Sequence, residues 1–245
     1  MKTLNQYIKE KLIINKDYQD ANIYTNKIVV KSFDELRKII YDKYKKLGPG
    51  TKQDPIDFND IDVSNIDSFC NKNTGLFEDT NFKYIDISDW DVSNVKSMYN
   101  MFAYCEELRS VGDISSWDVS SVYNTSNMFA YCKELKSVGD ISYWNVSNVR
   151  DMSFMFYGCK YFNQDISGWD VSGVTDMAYM FQGCNNFNQD ISDWDVSNVR
   201  NMSFMFQGCE SFNQDISGWN VYKVMKKINM FDGCSIKDEY KPKFK

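Results

Sequence analysis

Six of the seven cysteines keep a beat: Cys105, Cys132, Cys159, Cys184, Cys209 and Cys234 stand 27 or 25 residues apart, and Cys70 falls off it. Thiols can ligate metal, pair as disulfides or attack an electrophile. None of these seven forms a C-x-x-C pair, and the interval is too long and too even for a ligand code. The chain has no histidine, which removes Ser-His-Asp and Cys-His catalysis, His-based zinc sites and imidazole acid–base work together. The expectation is a chain that is not an enzyme and takes no cofactor. Its cysteines should lie buried as small apolar side chains in a reducing compartment, with Cys70 the thiol nearest solvent.

Carboxylates repeat as well. Asp86, Asp113, Asp140, Asp165, Asp190 and Asp215 each precede Ile-Ser, while Asp91, Asp118, Asp170 and Asp195 each follow a tryptophan. Stacked carboxylates repel one another unless they cap turns through backbone N–H groups or share a hard cation such as calcium. No EF-hand or glycine-aspartate nonapeptide loop accompanies them, so turn capping without a resident metal is expected.

The segments that must position these groups repeat in the same register. Tryptophans stand at Trp90, Trp117, Trp144, Trp169, Trp194 and Trp219, and a Met-Phe pair precedes each cysteine of the series. Self-similarity at this period marks one structural unit per copy, each burying its apolar side against its neighbours. Val95, Met98, Met101 and Phe102 recur at helical spacing and predict a short helical turn behind Ser93 and Asn94 as N-cap residues. Asn163–Ile166 predicts a brief strand, with one amide of the Asn163-Gln164 pair turned inward as a ladder. The fold class expected is an α/β repeat solenoid with a parallel sheet on one face and short helical turns on the other.

Three regions follow. Residues 1–55 form a leader in which Ser32 and Glu35 make a capping box and Leu36, Ile39, Ile40, Tyr44 and Leu47 form the stripe of a capping helix stopped at Gly48. The first 20 residues are a further helix or a mobile leader. Residues 56–234 hold seven rungs, beginning with a degenerate copy at Asp57–Ile66 in which Ile61 takes the tryptophan slot, and residues 235–245 are a polar tail.

The unit DISxWDVSNVxxMxxMFxxCxxFNQ, seen at Asp140 to Gln164 and twice more with small changes, resembles the BspA-like leucine-rich repeat family of gut bacteria, mycoplasmas and bacteriophages. The resemblance implies a right-handed, leucine-rich-repeat-like stack and a binding role. Relatives of that kind are surface proteins that engage host matrix proteins or other cells, or are phage-encoded.

Charge narrows the partner. Residues 1–55 carry 12 Lys+Arg against 7 Asp+Glu, and the remainder 16 against 27. An acidic array neutralises few phosphates, so nucleic acid is not expected; nor is a membrane, because no long apolar run occurs. The chain is read as intracellular, or virion-associated, with a bacterial cell-surface adhesin as the alternative if an export signal lies outside it. The function expected is protein binding, as of a phage product acting on a host protein or associated with the virion, with a basic partner. Specificity should reside where the rungs differ: Tyr99, Tyr104, Tyr123, Tyr131, Tyr143, Tyr157, Tyr179, Gln182 and Gln207, since tyrosine rows suit protein recognition.

Overall fold

The computed structural model describes residues 27–72 and 74–244. The helix or leader considered for the first 20 residues lies outside them. A single α-helix, α1 (Phe33–Leu47), is present among the described residues. Ser32 caps it by accepting from the Glu35 N–H at 3.2 Å, and Glu35 reaches back to the Lys31 N–H at 3.0 Å. Gly48, at φ 71°, ends it. Leu36 and Ile40 are buried in the same core as Phe58 and Ile61 of the first rung, and Lys43 bonds the Asp57 carbonyl at 2.7 Å. The helix therefore lids the start of the stack.

Regular strands are short. Strand β1 (Ile28–Val29) pairs in parallel with β3 (Ile61–Asp62), and β2 (Ile56–Asp57) pairs in parallel with β6 (Ile85–Asp86). A small antiparallel hairpin joins β4 (Cys70–Asn71) to β5 (Thr74–Gly75). Beyond them the rungs touch through single parallel bridges in one column: Ser68, Ser97, Asn124, Asp151, Asp176, Asn201 and Lys226.

The rungs contain no helical turns and Asn163–Ile166 is not a strand, which corrects two local expectations. The reason lies in how the backbone divides its donors. The N–H groups of Met152, Phe154, Phe156 and Gly158 bond to carbonyls of the next rung, while those of Met155, Tyr157 and Cys159 bond three residues back within their own rung. Alternate residues thus serve the stack and the turn. The helical spacing of Val95, Met98, Met101 and Phe102 arises from this run of consecutive turns, in which Phe154, Tyr179 and Phe204 take positive φ.

The core is a ladder of rings. Phe77, Phe102, Phe129, Phe156, Phe181, Phe206 and Phe231 stack in sequence with centroids 5.1 to 5.9 Å apart. Beside them run a tryptophan column and a second phenylalanine column of Phe162, Phe187 and Phe212. Each Trp indole also donates to a carbonyl of the preceding rung, as Trp169 does to Ile141 at 2.8 Å. The repeated tryptophans are therefore pinned twice, by burial and by a directional bond.

Two rung lengths are built differently. In the 27-residue rungs the inserted residues pair through backbone, with Ile87 N–H to Val111 and Ile114 N–H to Val138. The shorter rungs use side-chain amides there. Asn163 Oδ1 accepts from the Asn188 N–H at 2.9 Å and from Gln189 Nε2 at 3.0 Å, and Asn188 does the same for Asn213 and Gln214. The amide ladder exists, but at the surface and with both residues of each pair engaged.

Candidate functional site

The repeated thiols and carboxylates are accounted for by the scaffold. Cys105, Cys132, Cys159, Cys184 and Cys209 are buried. Each donates to the phenylalanine carbonyl of the preceding rung, as Cys159 does to Phe129 at 2.9 Å. Burial raises these thiols, Cys105 to about 11. Only Cys70 and Cys234 are partly exposed, so Cys70 has a companion that the spacing did not reveal. The aspartates cap turns: Asp165 Oδ1 accepts from the Ser167 N–H at 2.9 Å and from its hydroxyl at 2.7 Å. These serine bonds hold the Asp118, Asp140, Asp170, Asp190, Asp195 and Asp215 carboxyls below the ordinary range. Among the described residues no group of three or more Cys, Asp or Glu is placed to hold a metal ion.

What remains is a face that the turns themselves create. Position 154 and its equivalents one residue before each Met-Phe pair require positive φ, between 49° and 61°. Asparagine, which tolerates this conformation, fills the slot at Asn100, Asn127 and Asn229. The middle rungs place Phe154, Tyr179 and Phe204 there instead. Their rings stack at 4.3 Å and 4.6 Å and stay partly exposed.

A second row runs alongside. Tyr104 stacks on Tyr131 at 5.0 Å, and the Tyr131 and Tyr157 hydroxyls share a hydrogen bond at 2.7 Å. This bond, followed by burial, raises Tyr157 to about 12. Tyr157 also meets Phe154 and Tyr179 edge-on, joining the two rows. From Tyr157 onward amides continue the row: Gln182 Nε2 donates to Gln207, and Gln207 Nε2 to Asp232 at 3.2 Å. Gln182 Oε1 is buried without a hydrogen-bond partner. At its other end the row opens into a concavity of about 470 Å³ lined by Glu78, Asp79, Asn81, Tyr104, Glu106 and Glu107.

Six of the nine residues selected from sequence thus share one face: Tyr104, Tyr131, Tyr157, Tyr179, Gln182 and Gln207. Three do not join it. Tyr143 is 88% exposed, because the residues one rung away are Ser116 and Gly168, which offer no ring. Tyr123 sits between Lys96 and Arg150 in a backbone-bonded column, and Tyr99 shares its register with Ser126 and Ser153. The row of Tyr104, Tyr131, Tyr157, Gln182 and Gln207 crosses register, since Tyr104 and Tyr131 stand one residue before the cysteine but Tyr157, Gln182 and Gln207 two. Gly158 fills the slot behind Tyr157, and a Cβ there would lie 3.1 Å from the Tyr131 ring. Phe154 and Phe204, which the sequence marks with Tyr179 as positions that vary between rungs, lie on the same face, and Asp232 was not selected.

No curated protein and no solved structure matches the chain. The family model described as "Mycoplasma protein of unknown function, DUF285" matches twice in tandem, over residues 50–139 and 134–242. The chain, with its stacked rungs and the two-row face they carry, belongs to that DUF285 family.

Proposed function

We propose that this chain is a non-enzymatic protein-binding repeat module whose two-row tyrosine and amide face engages a basic protein. One observation carries the reading: Phe154, Tyr179 and Phe204 are held at φ 58–61° on a solvent-facing surface. Bulky residues are strained there by about 1–3 kcal/mol each. Asparagine occupies the same slot in other rungs without disturbing the stack, so the fold does not require the rings. A contiguous, partly desolvated aromatic surface supplies the anchors that protein recognition uses. At the Tyr104 end, Glu106 and Glu107 already pair with Lys133 and Lys83, and Glu78 and Asp79 supply the charge complement for a partner's lysine or arginine. We further read the stack as a leucine-rich-repeat-like solenoid, following its resemblance to BspA-like repeats, with turns in place of helix and strand.

The test is a triple variant, Phe154→Asn, Tyr179→Asn and Phe204→Asn, built from residues the other rungs already accept. Wild type and variant are immobilised and offered proteins from candidate hosts at about 0.15 M salt. The reading requires a basic protein that binds wild type, is released as salt rises and is lost on the triple variant at unchanged melting temperature. A partner held equally by both, or none at all, would sink it.

A further inference from the structure

The two ends of the stack are electrostatically unlike its body. Residues 56–219 carry 9 Lys+Arg and 24 Asp+Glu, whereas residues 220–245 carry 7 lysines and 3 acids. The final rung also presents an edge made of donors. In the rung before it, the N–H groups of Met202, Phe204, Phe206 and Gly208 bond to the carbonyls of Lys226, Ile228, Met230 and Asp232 at 2.8–2.9 Å. One rung on, the N–H groups of Asn229, Phe231 and Gly233 meet no acceptor among the described residues; Asn229 and Gly233 are exposed, while the folded-back tail sets the Lys241 amine over the half-buried Phe231 ring. The carbonyls of Asn229 and Phe231 are already used in turns of their own rung. Asn229 and Gly233 stand at φ 49° and 66°, close to the 60° and 72° of Phe204 and Gly208, whose N–H groups point along the stack to the next rung.

The side chains around this edge change character as well. Tyr222, Met225 and Ile228 are exposed by 68%, 73% and 62%, where the preceding rung has Ser197, Arg200 and Ser203. Lys223 and Lys226 replace Asn198 and Asn201. Lysines alone would be what an edge needs to repel further pairing. Three large apolar residues placed in serine and arginine positions do the opposite, since each exposes hydrocarbon that the rest of the surface avoids.

We propose that this terminal edge is a second interaction surface, distinct from the tyrosine face, which takes an acidic, extended segment of a partner protein. An extended segment presents carbonyls on one side at every second residue, the interval at which Asn229, Phe231 and Gly233 offer their donors. Its carboxylates meet Lys223 and Lys226, and its apolar side chains cover Met225 and Ile228. Addition of a segment to an open edge is an established mode of peptide capture.

The test uses the full chain, deuterated and ¹⁵N-labelled, titrated with a short acetylated and amidated peptide of alternating glutamate and valine. The proposal expects amide shifts centred on Asn229, Phe231 and Gly233, and none from a lysine–valine peptide. Affinity should fall about tenfold in K223E/K226E. It should fall similarly in Met225→Thr with Ile228→Ser, a variant built from residue types that inner rungs hold at those positions, so that it keeps its melting temperature. Shifts located elsewhere or absent would overturn the proposal. So would an equal response of these amides to inorganic phosphate, capture by anionic vesicles without a peptide response, or self-association of the chain through the same residues.

Discussion

Trp169 shows why a residue is repeated. Its ring is buried between Trp144 and Phe156, and its N–H holds the Ile141 carbonyl one rung away. Trp169→Phe keeps most of the hydrocarbon but removes that inter-rung bond, leaving the Ile141 carbonyl only the turn bond from the Trp144 N–H, so urea unfolding should show a loss of about 0.5–1.5 kcal/mol. Alanine at the same place should cost about 3–5 kcal/mol. The aspartates make a different claim. The Asp140, Asp165, Asp190 and Asp215 side chains accept from serine two residues on, and the Asp140, Asp190 and Asp215 carboxyls are lowered by those bonds. A lowered carboxyl stabilises the fold above its unfolded value and loses that contribution as pH falls through its folded one. The melting temperature should therefore drop below about pH 4. Asn145, in the column that follows tryptophan, accepts serine bonds of the same kind as a neutral amide. Asp→Asn at 140, 190 and 215 removes the charge-dependent part of this stabilisation at every pH, so it should lower the neutral-pH melting temperature and flatten the acid limb of the melting curve; an acid limb as steep as in wild type would refute this account.

At the scale of elements, α1 was legible because its signals are local: Ser32 and Glu35 start it, Gly48 stops it, and Leu36 and Ile40 face the core. Ser32→Ala should cost about 1 kcal/mol and hasten amide exchange in the first turn of α1. The rungs were legible as units and illegible inside. A turn chain that spends alternate N–H groups on its neighbours places Met152, Met155 and Phe156 inward at the spacing of a helix, and periodicity alone cannot separate the two. What could have separated them was the slot before Met-Phe, where Asn100 and Asn127 signal positive φ that no helix interior contains. The face was legible by the same logic only in part. Tyr104 and Tyr131 align when counted from cysteine, but the ring passes to Tyr157 where Gly158 opens space, and that exchange depends on backbone geometry.

The whole molecule is a stack with unlike ends. At the first, α1 and β1 close it. At the last, the tail folds back: Ile236 is buried, the Tyr240 carbonyl accepts from the Ile216 N–H at 3.0 Å, and Lys227 lies 4.5 Å from the Phe244 ring centroid. Truncation after Cys234 would expose Phe231, which stacks directly on Phe206. Thermal melts should shift down, and light scattering should rise with protein concentration, because an end rung must be made compatible with water. Unchanged melting and scattering would mean that the tail is decorative.

The amide bonds from Asn163 to Asn188 and from Asn188 to Asn213 have the same partners and nearly the same lengths. Three successive rungs are thus interchangeable parts whose junctions do not record their order. For heredity, this means that unequal crossing-over between the matching stretches of the gene would add or remove a whole rung in frame, with the amide bonds of each new junction the same as those of an old one. Such a chain can change its reach in a single genetic event without passing through a misfolded intermediate sequence.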